Sequence, residues 1–253
     1  TVDKKKREAT VDFTGTSPAS NFGINVPKSY CDAYTSFGIR CVVGPGIPNN
    51  AGSLSAIRVT APEGCILNAL RPCAVTARHV TGQMLPDVVL GCLHQALNTG
   101  VLAEGTSCLW NPVFLGGHGL AGGDAAFKDA SEFAVNCFHT GGMGARPTID
   151  GLNTTSFPSG VRNVPIEVTE TICPLIIWRK EYRTDSGGPG RFRGGTGQVM
   201  EVSNGEGAPF VISAMFDRVK HPARGREGGG LGVTGRLYLK HAGTVMQGKG
   251  RQP

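Results

Sequence analysis

The alternation of apolar and polar positions predicts both strands and helices in the first part of the chain. Residues 9–13 and 55–60 alternate with period two, which is typical of strands. Between them, Pro27 occupies a position that the first turn of a helix tolerates. The residues that follow recur every three or four positions and predict a helix with one buried stripe, formed by Tyr30, Tyr34, Phe37 and Cys41.

The longest helical pattern extends from residue 74 to residue 97. Its apolar positions are spaced by four, at Val80, Met84, Val88 and Cys92. Pro86 interrupts the pattern and predicts a kink or two helices in tandem, because an interior proline removes a backbone hydrogen bond. A polar row with the same spacing contains His79, Gln83 and Asp87. This row is either a solvated face or a hydrogen-bonded functional set, so Gln83 and Asp87 are candidate site residues.

Beyond residue 100 the pattern changes to strands. Segments rich in β-branched and aromatic residues, separated by glycine-rich breaks, predict strands at 108–115, 130–139, 175–182, 198–202, 210–216 and 236–239. The predicted fold class is α+β, β-rich, with two main helical segments in the first 100 residues. Two subdomains would divide the chain into a mixed α/β part at 1–100 and a mainly β part at 101–253.

Composition indicates a folded chain and argues against several classes. Of the 253 residues, 40% are hydrophobic and 17% are charged, a balance typical of globular proteins. Much of the net charge of +6 lies in residues 4–7 and the other basic residues are dispersed, so no nucleic-acid partner is expected. No apolar run approaches 18 residues and no cysteine pair has C-x-x-C spacing, so we expect a cytoplasmic, reduced protein with no membrane segment.

The 38 glycines concentrate in a few loops. Residues 185–198, DSGGPGRFRGGTGQ, contain six glycines and one proline, which predicts a loop with a defined path. No lysine follows these glycines, which excludes a Walker-type phosphate loop. Residues 230–235 match the pattern G-x-G-x-x-G, but the flanking sequence lacks the strand and the helix that a dinucleotide site requires.

A histidine at the end of a predicted strand, followed by a glycine-rich loop, is the strongest candidate for chemistry. His139 precedes the loop glycines, and Arg146 ends the loop. A titratable side chain beside free backbone amides is a common active-site arrangement, and an ordinary hairpin turn is the alternative. Arg146 and His139 are therefore the catalytic candidates, and the residues expected to shape the loop are Gly141, Gly142 and Gly144.

Several of these motifs, taken in order, resemble the hydantoinase B/5-oxoprolinase family. The motifs are residues 12–18, 50–52 and 71–72, the helix with Gln83 and Asp87, and residues 141–146, 185–197 and 217–218. The ordered set is far more specific than any single motif. The resemblance extends from about residue 9 to about residue 240 and corresponds to the C-terminal part of the longer family members.

The resemblance implies a function for the chain. Members of the family are B subunits, or B regions of fused chains, that open lactam or hydantoin rings together with an ATP-binding A subunit. It therefore implies part of the B subunit of an ATP-dependent amidohydrolase, with a small cyclic-amide substrate and a hydantoinase A-type partner that binds ATP with Mg²⁺. Related subunits belong to acetone and acetophenone carboxylases. The alternatives are thus a subunit of an ATP-dependent ketone carboxylase, or a scaffold without chemistry of its own.

The resemblance also bears on individual residues. It implies that any divalent metal is bound in a preceding N-terminal part, so no metal ligand is assigned in this chain, and that the isolated chain is inactive. In the longest glycine-rich loop, the residues expected to shape or hold the loop rather than react are Asp185, Gly187, Gly188 and Arg193.

Overall fold

The fold is described from a computed structural model, which covers residues 1–97, 100–107, 109–121, 124–214, 216–240 and 244–245. Helices and strands are both present, and the two longest helices lie in the first 100 residues, so the predicted α+β class is confirmed. Residues 108 and 215, which belong to predicted strands, lie outside the described residues. The division into two subdomains stays a prediction. Among the described helices, none is long and apolar enough to cross a membrane.

A three-stranded sheet opens the chain. Its strands are β1 (Val2–Asp3), β2 (Glu8–Asp12) and β3 (Ile57–Thr60), in the order β1-β2-β3. Strand β2 pairs antiparallel with β1 and parallel with β3. Parallel strands require a crossover connection, and this one contains helix α1 (Lys28–Arg40) and the short helix α2 (Ala51–Leu54). The predicted strands and helix of this region are therefore confirmed.

Helix α1 buries a stripe that differs from the predicted one. Cys41 is exposed and the predicted aromatic residues are only half-buried. The buried positions are instead Cys31, Thr35, Gly38, Ile39 and Arg40. The cause is close packing against the following helix pair, because a Cβ atom at Gly38 would lie 3.0 Å from the Cα atom of Pro86. Gly38 therefore allows close contact with this helix pair, and the Tyr30 ring packs against Gly82 of the same pair.

Two helices in tandem, α3 (Arg78–Gly82) and α4 (Leu85–Ala96), occupy the longest helical pattern. Pro86 lies in the first turn of α4, which confirms the predicted interruption. The predicted apolar stripe is wrong, because Val88 is 52% exposed and Cys92 is exposed. Gln83 and Asp87 are buried instead, each only 4% exposed. The segments packed against this polar row supply charged and hydroxyl partners, which spacing along one helix does not reveal.

Two small antiparallel sheets follow. The first has the order β5-β4-β8 and contains β4 (Val113–Gly116), β5 (Phe133–Asn136) and β8 (Phe210–Ser213). The second is a hairpin of β6 (Leu175–Tyr182) and β7 (Gln198–Asn204). Strand β4 is shorter than predicted and begins after Pro112, which has no N–H group for the ladder.

The remaining elements are short. Helix α5 (Ile166–Ile172), which the sequence pattern did not predict, precedes β6. Strands β9 (Tyr238–Leu239) and β10 (Thr244–Val245) form a separate pair, and 3-10 helices span His118–Ala121 and Ala125–Phe127. The sheet β5-β4-β8 and the hairpin share a buried cluster, whose burial of apolar surface stabilises this part of the fold: Phe114, Val135, Cys137, Cys173 and Leu175.

Glycine-rich segments pack backbone against backbone. Met143 is central to this packing, because its N–H donates to Leu152 O at 2.9 Å and its carbonyl accepts from Gly195 N at 2.8 Å. A Cβ atom at Gly142 would lie 1.9 Å from Gly195 O, and one at Gly144 would lie 1.9 Å from Ala103 O. Glycine is therefore required at these positions by the close approach of neighbouring backbone.

We expect Gly142→Ala to destabilise the protein by about 1–3 kcal/mol or more, because the added methyl group forces neighbouring backbone apart. The matched control is Gly160→Ala, since a Cβ atom at Gly160 meets nothing within 4 Å. Urea denaturation measures both changes. Equal free energies of unfolding for the two variants would contradict the packing argument.

Candidate functional site

A wide groove of about 1760 Å³ crosses the second part of the chain. One end, which we call the loop end, is lined by residues from three loops: 139–147, 186–195 and 223–230. Strand β7 and residues of β8 and β9 line the other end, which we call the strand end. The groove brings together six of the predicted site residues: His139, Gly141, Gly142, Arg146, Gly187 and Gly188. The others lie outside its lining: Gln83, Asp87, Gly144, Asp185 and Arg193.

His139 lines the groove with a neutral ring. Its Nε2 atom is 3.1 Å from Gln198 O. Because a carbonyl oxygen only accepts hydrogen bonds, Nε2 carries the proton and Nδ1 has the free lone pair. Burial lowers the pKa of His139 to about 4. Nδ1 is buried and has no hydrogen-bond partner among the described residues, so it is the atom that could accept a proton or a hydrogen bond.

An aromatic stack adjoins His139. The rings of Trp110 and Phe216 are parallel within 3°, with centroids 4.0 Å apart, and the indole centroid is 5.8 Å from the imidazole. Trp110 Nε1 donates to Asp217 O at 3.1 Å, which fixes the indole. A Cβ atom at Gly235 would lie 2.2 Å from the Trp110 ring. The last glycine of the G-x-G-x-x-G pattern therefore makes room for an indole, and the stack gives the groove an apolar wall.

Arg146 is held by its own turn. Its Nε and Nη2 atoms donate to Asp150 O at 2.9 and 2.8 Å, and its backbone N–H donates to Ile149 O at 3.0 Å. Nη1 forms no hydrogen bond among the described residues. The guanidinium is thus oriented at the groove with donors left for a carbonyl or anionic ligand.

The loop 185–198 is held by one of its own residues, Ser186, and by Asp150 from another segment. Ser186 Oγ donates to Arg183 O at 2.7 Å and accepts from Gly197 N at 2.8 Å, which closes the base of the loop. Asp150 Oδ1 accepts from the backbone N–H of Arg193 at 2.8 Å. The Asp185 and Arg193 side chains are exposed, and neither forms a hydrogen bond within the described part of the chain. Asp185 contributes through its backbone, which adopts a φ of 54°.

A buried cluster of charges adjoins the loop end. Arg218 Nη2 is 2.8 Å from Asp87 Oδ2, and Nη1 is 3.3 Å from Glu104 Oε2. The Ser107 hydroxyl donates to the same Asp87 oxygen. On the solvent side, Arg224 Nη2 is 2.6 Å from Glu104 Oε1. The Asp87, Glu104 and Arg218 side chains are at most 10% exposed, so this is a desolvated ion-pair cluster that connects α4 to the loop end.

The two carboxyl groups of the cluster respond differently to burial. Burial raises the pKa of Asp87 to about 6, although Ser107 and Arg218 favour its charged form. Burial also raises the pKa of Glu104, but hydrogen bonds from Arg224 outweigh this and hold the value below its usual range. Asp87 Oδ1 has no hydrogen-bond partner among the described residues, which is consistent with the weaker stabilisation of its charge.

The cluster was only partly predictable. Gln83 and Asp87 were singled out by their helical spacing, and the structure buries both, while Gln83 Oε1 and His79 Nε2 lack partners in the described part of the chain. Glu104 and Ser107 were missed because they lie in a segment without regular pattern. For Arg218, the sequence indicated a role only through the motif at residues 217–218.

No metal centre is visible in the described residues. There, no three histidine, cysteine, aspartate or glutamate side chains lie close enough together to hold an ion. Asp124 accepts from Ala126 N at 2.9 Å and caps a 3-10 helix.

Comparison with known proteins identifies similar chains. Residues 1–252 match the family model for hydantoinase B/oxoprolinase. The chain is 32% identical over 241 residues to 5-oxoprolinase 1 of Arabidopsis thaliana, covering 94% of this chain and 17% of that protein. It is 29% identical over 248 residues to the putative B subunit of a D-/L-hydantoinase of Pseudomonas sp. (strain NS671). This match covers 95% of this chain and 40% of that protein. The chain thus spans less than half the length of these relatives.

Two solved structures are also similar. ATP-dependent caprolactamase from Pseudomonas jessenii superimposes with a TM-score of 0.65 at 25% identity, covering 78% of this chain and 34% of that one. The nucleotide-free structure of acetone carboxylase, which carries out ATP-dependent acetone carboxylation, gives a TM-score of 0.68 at 18% identity. The superposition covers 93% of this chain and 31% of that one. The second likeness concerns the fold alone.

We expect Arg218→Ala to destabilise the protein by about 3–5 kcal/mol at pH 7, because two buried carboxylates lose their shared counter-charge. Without that charge, the pKa of each carboxyl rises in the folded state. When the pKa of a carboxyl is higher in the folded than in the unfolded state, protonation stabilises the folded state. The variant should therefore recover stability as the pH falls from 7 to 5. The control is Arg58→Ala, which removes an exposed pair with Glu8 and should cost at most about 1 kcal/mol. Urea denaturation across this pH range measures the free energy of unfolding of both variants. Equal losses of this free energy at pH 7 would contradict the prediction.

We expect the imidazole of His139 to remain neutral from pH 8 down to about pH 5, since the pKa of this ring is lowered to about 4. Because the folded-state pKa lies below the unfolded value, the contribution of His139 to stability is lost as the pH falls through about 6 to 4. NMR titration of the ring protons measures the first effect. Titration of this ring near pH 6.5 would contradict the assignment, and His139→Gln should remove the corresponding part of the acid destabilisation.

Proposed function

The chain belongs to the hydantoinase B/oxoprolinase family, as its ordered motifs predicted, and from this we propose that it forms part of the B-type subunit of an ATP-dependent enzyme that opens a cyclic amide. The substrate class is a small ring of the hydantoin or 5-oxoproline type. The match over residues 1–252 is the observation that carries this proposal. We place the reaction in the cytoplasm, where ATP is available.

Ring-opening hydrolysis is better supported than ketone carboxylation. Two of the relatives, at 32% and 29% identity, are named as a 5-oxoprolinase and as a putative hydantoinase subunit, and one similar structure is an ATP-dependent caprolactamase. Acetone carboxylase shares the fold at 18% identity, which does not carry over an activity. The comparison therefore favours an amide substrate.

The proposed partner is an A-type subunit that binds ATP with Mg²⁺. Two features support a separate nucleotide site. The sequence has no Walker-type loop, and the G-x-G-x-x-G segment is explained by the packing of Gly235 against Trp110. The Pseudomonas relative is named as one subunit of a hydantoinase, which implies an enzyme of more than one subunit. Any divalent metal is proposed to lie outside this chain.

The loop end of the groove suits the substrate side of the reaction. Opening an unstrained amide with ATP requires a phosphorylated intermediate, attack by water and stabilisation of the developing oxyanion. We assign that stabilisation to Arg146 and to backbone amides of the loop that contains Gly141 and Gly142. We also propose that His139 Nδ1, a buried atom with a free lone pair, accepts a hydrogen bond from the substrate or the attacking water, which requires substrate binding to expose this atom.

We expect Arg146→Ala to lower kcat of ring opening about 100-fold, as the loss of one preorganised oxyanion donor does in other enzymes. The assay is a reconstituted complex of the protein with its A-type subunit, in which ATP hydrolysis and ring opening are followed together. Unchanged turnover would remove Arg146 from the reaction.

The matched control for this experiment is Arg162→Ala, because Arg162 is exposed and lies outside the groove lining. It should retain full activity. If the complex assembles and the alanine variants at both positions, together with His139→Gln, all retain activity, the chain acts as a scaffold and the chemistry belongs to other parts of the enzyme.

A further inference from the structure

One edge of strand β7 faces the groove instead of another strand. Strand β7 pairs with β6 and with no other strand among the described residues. All seven of its residues, Gln198–Asn204, line the groove. Successive side chains of a strand point to opposite faces of the sheet. A groove lined by every residue of β7 therefore contacts both faces of the strand and the edge between them.

The hydrogen bonds at the two ends of the hairpin show which residues of β7 face that edge. At one end, Arg183 N donates to Gly197 O at 2.9 Å. At the other end, Gly205 N donates to Pro174 O at 2.7 Å. In an antiparallel ladder the residues that bond to the partner alternate, so odd-numbered residues of β7 face β6 and even-numbered residues face the groove.

The outward backbone groups are free in the middle of this edge. Gln198 O accepts from His139, and Asn204 O accepts from Gly207 N. Between them, the N–H and C=O groups of Met200 and Val202 have no hydrogen-bond partner in the part of the chain that the structure describes. Met200 and Val202 together offer two N–H donors and two C=O acceptors along this edge. An added strand pairs with backbone groups in this arrangement.

The opposite edge of the hairpin carries features that discourage pairing, and β7 lacks them. Strand β6 has a bulge between Ile177 and Arg179, followed by a charged sequence that ends at Glu181. Bulges and charged side chains are common ways of protecting exposed edges. Strand β7 has no bulge and no proline, and Glu201 is its single charged residue. The β7 edge is therefore the one suited to pairing.

The groove also indicates the chemistry of the occupant. On the core side of the β7 edge, Phe114, Phe210 and Ile212 line the groove beside Met200 and Val202. The whole lining includes eight arginines and one lysine against three glutamates. A second copy of the chain would bring the same positive charge, which disfavours pairing of two β7 edges. An acidic partner with apolar side chains fits both properties.

We propose that the β7 edge is a strand-addition site for an extended segment of a partner protein, in which apolar residues alternate with acidic residues. The apolar side chains pack against Phe210 and Ile212, and the acidic side chains meet the arginines of the groove. The backbone of the segment pairs with Met200 and Val202. This inference does not depend on the proposed reaction.

Two synthetic peptides test the proposal with the purified protein. One alternates valine and glutamate over ten residues, and the other alternates valine and lysine. Fluorescence anisotropy should detect binding of the acidic peptide alone, and this binding should weaken as the ionic strength rises, because salt screens the charges. Equal binding of both peptides, or no binding of the acidic one, overturns the proposal.

Proline substitution tests the backbone pairing. Met200→Pro removes the central outward N–H, and it should weaken binding of the acidic peptide about tenfold or more. The matched control is Tyr182→Pro, which removes an N–H on the opposite edge of the hairpin and should leave the affinity unchanged. Hydrogen exchange of the unmodified protein gives an independent measurement, since the peptide should slow exchange of the Met200 and Val202 amides.

The outcomes are distinct even where a proline variant fails to fold. Slowed exchange at Met200 and Val202 in the unmodified protein supports strand addition without any variant. Binding without such slowing overturns it and indicates contact through charge alone. Concentration-dependent dimerisation that slows the same amides in the absence of peptide overturns the assignment to an acidic partner and replaces it with a second copy of the chain.

Discussion

Arg218 lies between the buried carboxylates of Asp87 and Glu104, and this ion-pair cluster connects the helical part of the chain to the loops of the groove. Charges this deeply buried are tolerated only when each has a partner in suitable geometry, because desolvation costs several kcal/mol per ion. The geometry is demanding, since Arg218 adopts a φ of 58°, which is uncommon for a residue with a side chain. The loop end of the groove therefore depends on the placement of α4.

Glycine sets the second constraint. Around Met143 and Gly195, neighbouring backbones are so close that no side chain fits between them. Several glycines of these segments line the groove, and His139 and Arg146 lie beside them in its lining. The same groove continues along β7, so one surface combines a loop end, which we assign to the substrate, with a strand edge that no described strand covers, which we assign to a partner.

The fold was predictable where one segment decides its own structure. The helix after Pro27 and the break at Pro86 follow from the backbone chemistry of proline. Most strands follow from alternation or from β-branched and aromatic content. Burial was not predictable from spacing in α4, where Val88 is exposed and Asp87 is buried. Asp87 is buried because Arg218 and Ser107, distant in sequence, meet it there. Glu104 was missed because it lies in a segment without regular pattern, and its partners Arg218 and Arg224 are also distant in sequence.

The sequence by itself determined the α+β class, the glycine-rich loops and, through the order of its motifs, the family. These properties depend on local backbone chemistry and on the order of residues along the chain. Tertiary structure alone decided which loops meet in the groove, that Gly235 makes room for Trp110, and that β7 pairs with a single strand among the described residues. The physical reason is that burial, desolvation and strand pairing depend on residues far apart in the chain, whose proximity exists only in the folded protein.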